Sequence, residues 1–208
     1  MTGRGTAGGS DPGDDSRGGG QRWRILDDPV AIRALAHPRR NDLMRVIGRL
    51  GLATTADAAR ELGISHGLAS HHLHQLKKYG FVEQVEGRDN RERPWRLVAT
   101  SYDYAEASAT PAGLDAIDVL ERVYAENALD GFLGWQRRRN DWPRDWRGHT
   151  GIARTTVYLT QDEAAGLAAA MEGLLRRFTD ERPLDDIAAR PPGSLPVDFT
   201  LFIVPAGA

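Results

Sequence analysis

Residues 65–81, SHGLASHHLHQLKKYGF, hold most of the side chains able to do chemistry in this 208-residue chain. Four of its six histidines lie here, His66, His71, His72 and His74, together with its only two lysines, Lys77 and Lys78. Imidazoles at this density suit a metal, a proton transfer, or hydrogen bonding to an outside partner. A metal would use His71 and His74, which are three residues apart on one helix face, but no Asp, Glu or Cys in the same helix completes the site. Catalysis lacks a partner nucleophile. The third chemistry fits better. A helix starting after Ser65 turns Leu68, Ala69, His72, Leu73 and Leu76 toward a core. It leaves His66, Gly67, Ser70, His71, His74, Lys77 and Lys78 on the opposite side. That face is polar and free of carboxylates, which would repel phosphate. Ser, His and Lys donate to base edges and phosphates, and a small residue near the helix start lets the backbone approach a groove. The expectation is a DNA-reading face, with a merely solvated face as the plainer alternative and His72 as a core histidine.

The surrounding elements must hold that face in place. Order begins near Trp23. Pro29 suits the first turn of a helix with Ile32, Leu35 and Ala36 on one side. His37-Pro38 interrupts it, because the residue before proline avoids the helical region. A second helix carries Leu43, Val46, Ile47 and Leu50, and Gly51 stops it. Thr55 is expected to cap a short helix with Ala58, Ala59 and Leu62 inward. Gly63 permits a tight turn, Ser65 caps the helix of the opening stretch, and Gly80 ends it. Two short helices about such a turn make a helix-turn-helix. The period then changes from 3.6 to 2: FVEQVEG and PWRLVA read as strands about the polar turn RDNRER. A helix-turn-helix followed by a hairpin is a winged helix. Arg88, Arg91, Arg93 and Arg96 surround the hairpin, where arginine binds phosphate or enters a narrow minor groove. A solvated hairpin turn is the alternative, and Trp95 is expected to pack inward. Arg39 and Arg40 open a helix, where the dipole disfavours cations unless a phosphate or a carboxylate is near.

Residues 111–139 read as a long amphipathic helix with a stripe of Ile117, Leu120, Tyr124 and Ala128, flanked by Leu114, Val123 and Phe132. A two-fold homodimer would cover that stripe, and packing on the chain's own tail is the alternative. The tail reads as strand 153–160, helix 161–178 and strand 196–204, joined by a long Pro-rich loop. Trp135, Trp142 and Trp146 either staple a linker to the core or line a ligand pocket, with Tyr102, Tyr104 and Tyr124 as weaker candidates for the same pocket.

The pieces Leu35-Ala36-His37-Pro38-Arg39-Arg40, Leu62-Gly63-Ile64-Ser65, Ser70-His71-His72-Leu73 and Tyr79-Gly80-Phe81-Val82 resemble the ArsR-type winged-helix transcription regulators. The resemblance spans roughly Leu26 to Leu97. It implies that Ser65, His66, Ser70, His71 and His74 occupy DNA-reading positions, and that Arg91 and Arg93 sit on the wing tip. It also supports dimerisation, and repression by analogy. The chain departs from the metal-sensing members, having no cysteine and no histidine in 111–139. The region after residue 100 is similar to the extended C-terminal parts of actinobacterial regulators, which have no assigned ligand.

Bulk composition agrees with a soluble globular chain: 40% hydrophobic and 27% charged residues, and no apolar run near the roughly 20 residues that a membrane helix needs. Absent cysteine excludes disulfides and thiolate chemistry. Together with an N-terminus lacking an apolar signal core, it fits a cytoplasmic location. Residues 1–21 lack Ile, Leu, Val and Phe and contain eight glycines, so a disordered tail is expected. The net charge of −2 hides a division: residues 22–100 carry 14 basic against 9 acidic side chains, residues 101–208 carry 11 against 17. A basic first half suits nucleic acid, and an acidic second half belongs away from it. There is no Walker loop, HExxH or G-x-S-x-G, and Asp185-Asp186 reads as a solvated pair in a loop, so no enzyme is expected. The fold class expected is α+β, mainly α. It comprises a disordered tail (1–22), a winged helix-turn-helix domain (23–100), a dimerisation helix and linker (101–148), and a small C-terminal α/β domain (149–208). The expected function is a homodimeric DNA-binding repressor without cofactor or metal. Its partners are double-stranded DNA, a second copy and an unidentified small-molecule or protein effector, with no membrane. The alternatives are a winged helix serving only protein contacts, and an effector-binding or enzymatic tail tethered to DNA.

Overall fold

The computed structural model describes residues 23–86 and 93–205. Strand β1 (Trp23–Ile25) leads into α1 (Pro29–Leu35), α2 (Pro38–Leu50), α3 (Thr55–Leu62) and α4 (His66–Lys78). The hairpin strands β2 (Val82–Gln84) and β3 (Trp95–Leu97) follow, then β4 (Ser101–Asp103), α5 (Ala105–Ser108) and α6 (Pro111–Arg137). A 3-10 turn at Arg139–Asp141, α7 (Arg144–Arg147) and α8 (Gln161–Glu181) complete the order.

Local chemistry explains the boundaries. Asp28, His37, Ser65 and Thr110 each accept a backbone N–H at the start of their helices, and Pro29, Pro38 and Pro111 occupy the first helical position, where no N–H is needed. Helix α3 is capped by Thr54, not by Thr55: Thr54 and Asp57 exchange hydrogen bonds as a capping box. Thr55 is thereby free to accept from the Trp95 indole N–H at 3.0 Å. Gly63 stands at φ 62°, the left-handed conformation that ends α3 and aims the chain into α4.

The core lies where α1–α4 meet the base of the hairpin. Leu35, Leu43, Ile47, Leu73, Leu76 and Phe81 are fully buried, as is Trp95. Each such side chain contributes about 1.5–3 kcal/mol by leaving water. Strands β2 and β3 pair antiparallel with Val82 opposite Leu97, and Ala53 bridges Trp95 on the other side. This is the winged-helix arrangement, in a mainly helical molecule with small sheets. The parallel pairing of β1 with β4 joins residues far apart in sequence and was not expected. Arg24 locks it to the domain by donating to the carbonyls of Tyr79 and Gly80.

Two expectations need correction. Leu68 is exposed and outside the core, because it lies in the first turn of α4, beyond the reach of the helices beneath. The segments 153–160 and 196–204, before and after α8, form no strand ladder among the described residues. The long helix is present and packs on α1, and its apolar stripe is partly covered: Leu120 and Val123 are buried, Ile117, Ala128 and Phe132 are half-buried, and Leu114 and Tyr124 are exposed. The tail at 1–22 and the wing tip at 87–92, with Arg88 and Arg91, lie outside the described residues. No helix among the described residues is long and apolar enough to cross a membrane.

Candidate nucleic-acid interface

Helix α4 sorts its side chains by face. Ala69, His72, Leu73 and Leu76 are buried, whereas His66, Gly67, His71, His74, Lys77 and Lys78 are exposed and Ser70 is half-buried. The structure therefore brings these candidates together on one outward surface that contains no carboxylate from α4. Ser65 is exposed, and its hydroxyl accepts from the Leu68 N–H at 3.2 Å, so its side chain serves the helix start. A Cβ built on Gly67 would meet nothing within 4 Å. The fold itself leaves that position open.

Several of these side chains are pre-positioned. His74 Nδ1 lies 2.8 Å from the Ser70 carbonyl. A carbonyl only accepts, so Nδ1 carries a proton and donates to it. The His74 ring meets the Trp95 edge at 5.5 Å, and Lys77 Nζ stands 6.0 Å over the same indole while donating to Gln84 Oε1 at 3.2 Å. Trp95 thus couples the outward face of α4 to the hairpin base. Lys78 stands over the Tyr79 ring at 5.3 Å. Arg93, at the foot of the wing, is exposed, and Arg96 is paired with Glu83 at 2.7 Å, which fastens it to the hairpin.

Behind this surface lies a histidine layer that the sequence hinted at only in part. His72 is buried, as expected, with its ring centroid 4.6 Å from that of His37 and 5.3 Å from that of His71. Burial lowers the basicity of both His37 and His72; Arg40 adds to the effect at His37, and the neighbouring His37 and His71 add to it at His72. The Nδ1 of His37 accepts the Arg39 N–H at 3.2 Å, so this side chain serves as the cap of α2. The signal was available, because the residue before a first-turn proline is the cap position. Arg40 Nε is buried without a hydrogen-bond partner among the described residues, and Arg39 holds Asp42 at 3.6 Å.

Among the described residues no group of three or more His, Cys, Asp or Glu is placed to hold a metal ion. Trp135 stacks on Phe132 at 5.8 Å and carries Arg139 over its face at 4.5 Å. A cleft of about 400 Å³ between α2 and α6 is lined by Pro38, Arg39, Asp42, Arg45, Asn127 and Asp130, and none of the three tryptophans contributes to it.

Residues 35–85 match the family described as a helix-turn-helix domain. That interval runs from the end of α1 through α2, α3 and α4 to just past β2 and includes the whole outward face described above. No curated protein matches the chain. Similar solved structures include an apo variant of ZitR from Lactococcus lactis, 17% identical with a TM-score of 0.30, over 69% of this chain and 83% of that one. FabT of Streptococcus pneumoniae in complex with DNA is 16% identical with a TM-score of 0.28, over 67% and 73%. Wild-type apo MarR of E. coli is 18% identical with a TM-score of 0.24, over 70% and 76%. Likenesses this loose carry no weight here; the fold rests on the helix-turn-helix match and on the hairpin geometry.

Proposed function

We propose that this protein, built around the helix-turn-helix domain of residues 35–85, is a DNA-binding transcription regulator that lays α4 in the major groove. One observation carries the reading: the outward face of α4 is exposed, hydrogen-bonding and carboxylate-free, while its inner face is fully used by the core. A solvated helix has no need to exclude Asp and Glu from a whole face, whereas a phosphate-lined groove does.

Roles follow from position. His66, Ser70, His71 and His74 reach base edges. Gly67 admits the backbone to the groove wall. Lys77 and Lys78, at the helix C-terminus, and Arg93, with Arg88 and Arg91 of the wing, neutralise flanking phosphates. Ser65 holds the helix entry. The finer reading is a homodimeric repressor. Leu114, Val119, Leu129 and Leu133 are exposed on α6. At 100° per residue they fall within an arc of roughly 140° that faces away from α1. A second copy covers that arc, and its two-fold axis repeats α4 along the duplex.

The test is fluorescence anisotropy with DNA fragments selected from the genome by the protein itself. Ser70→Glu and His71→Glu each place a carboxylate against the groove, the second replacing a ring that meets His72 at 5.3 Å, so the two are read side by side. The expected result is at least a hundredfold loss of affinity with an unchanged melting temperature. Wild-type affinity in either variant removes α4 from the groove.

A further inference from the structure

The first turn of α2 carries Arg39 and Arg40 and no acid, against the direction of the helix dipole. Each guanidinium there needs an anion, and the chain supplies only one among the described residues. Arg39 is paired with Asp42 at 3.6 Å, and both line the cleft shared with α6. Arg40 has no carboxylate partner among the described residues, and its Nε is buried with nothing to donate to. Burial opposes its charge, yet arginine does not shed its proton in a protein. A buried donor left unmatched in this way calls for a reason. The helix end does not provide it, because its first amides are taken. The Arg39 N–H donates to His37 Nδ1 at 3.2 Å, and the Arg40 and Asn41 N–H groups donate to the His37 carbonyl at 3.0 and 3.1 Å. An anion here is held by side chains.

The surroundings of Arg40 say which anion. Its charge acts on His37 and His72, and Tyr79 acts on it. None of the groups acting on Arg40, His37 or His72 is a carboxylate. His72 meets the ring of His71 at 5.3 Å, and the Tyr79 ring lies under the Lys78 ammonium at 5.3 Å. His71 and Lys78 both belong to the exposed face of α4. Arg40 is half-buried and therefore borders that face where α2 begins. We propose that Arg40 is a DNA-contact residue, holding one backbone phosphate of the strand that passes α4. The guanidinium charge is delocalised, so a phosphate at its exposed edge offsets the desolvation of the whole group, the buried Nε included. This inference rests on the reading of α4 as the groove helix. It adds α2 to the contact surface, and it gives Arg40 a role in register and affinity but none in reading sequence.

Fluorescence anisotropy over a range of salt concentrations tests it, with the full chain and a genome-selected DNA fragment. The variants are Arg40→Gln, Arg40→Lys and, for contrast, Arg39→Gln. Arg40→Gln should lower the log–log salt slope by about 0.9 and weaken selected and scrambled DNA alike by about tenfold, with a melting temperature no lower than wild type. Arg40→Lys should keep the slope, and Arg39→Gln should keep both slope and affinity. A series of fragments with one methylphosphonate each locates the contact. One position should weaken the wild type about tenfold and leave Arg40→Gln almost unaffected, since the partner charge is already gone. An unchanged slope in Arg40→Gln overturns the inference and leaves α4 in the groove. Equal losses in Arg39→Gln also overturn it, as the mark of a diffuse field with no held phosphate. So does a methylphosphonate series that shifts both proteins equally. A melting temperature several degrees lower in both Arg40 variants reveals an internal partner and overturns it as well. Failure of the DNA reading itself shows elsewhere, in wild-type affinity of Ser70→Glu or His71→Glu.

Discussion

His72 and His37 are placed where neither can be charged without loss. Their rings meet at 4.6 Å with a tilt of 49°, and the Nδ1 of His37 accepts the Arg39 N–H, which a protonated ring cannot do. Both are less basic in the folded chain than an ordinary imidazole of about 6.5. Between the lowered folded value and the ordinary unfolded one, the unfolded chain binds more protons, so stability rises with pH across that window. The melting temperature should therefore be flat above about pH 7 and fall as pH drops below the ordinary imidazole value. His72→Gln should lower the melting temperature at pH 8 but shrink the drop between pH 7 and 5. Identical pH profiles for the two proteins would show that the histidine layer does not titrate with folding. The inward assignment of His72 was legible from its register with Leu73 and Leu76. The partnership with His37 was not, because residues 35 apart in sequence meet only through the crossing of α2 and α4.

At the scale of elements, two glycines show how the same substitution takes opposite signs. Gly67 lies in the first turn of α4 with open space where a Cβ would go, so Gly67→Ala should stabilise the fold by at most about 1 kcal/mol. If that space is reserved for the groove wall, DNA affinity falls in the same variant. Gly113 lies in the first turn of α6, where a Cβ would come within 2.0 Å of the Ala107 carbonyl. Gly113→Ala should destabilise by about 1–3 kcal/mol despite the better helix propensity of alanine. Calorimetry of both variants decides this, and equal signs would contradict the close approach of α5 to α6. The helices of the winged domain were readable because capping, proline and glycine positions agree with the apolar period to within a residue, the cap of α3 falling on Thr54 in place of Thr55. The β1–β4 pair was not readable, because two three-residue strands carry too little pattern. The α6 stripe was seen, but a period alone does not say whether α1 or another chain covers it. The strand pattern of 153–160 and 196–204 was seen as well. No ladder forms there among the described residues, since alternation encodes a tendency to pair and not the identity of the neighbour.

For the whole molecule, a two-fold dimer repeats α4 at a spacing fixed by protein, not by DNA. Two recognition helices on successive major-groove turns require half-sites about 10–10.5 base pairs apart, centre to centre. Inserting five base pairs between the half-sites of a selected site should abolish cooperative binding, and inserting ten should restore part of it. A gel-shift series reads this directly, and indifference to the insertion would mean that each protomer binds alone. The division of charge belongs to the same scale: on the proposed reading the basic first half would meet the duplex, and repulsion would keep the acidic second half off it.

Lys77 and Lys78 are the chain's only lysines, and both are exposed at the end of α4. Apart from the terminal amine, every amine-directed reagent or acyl-transferring enzyme must therefore act on the helix proposed to enter the groove. A single mass-spectrometric peptide then reports occupancy, since bound DNA shields both sites and free protein leaves them open. Acylation there would remove two positive charges at the groove edge, so one chemistry serves both as a footprint of the complex and as a means of dissolving it.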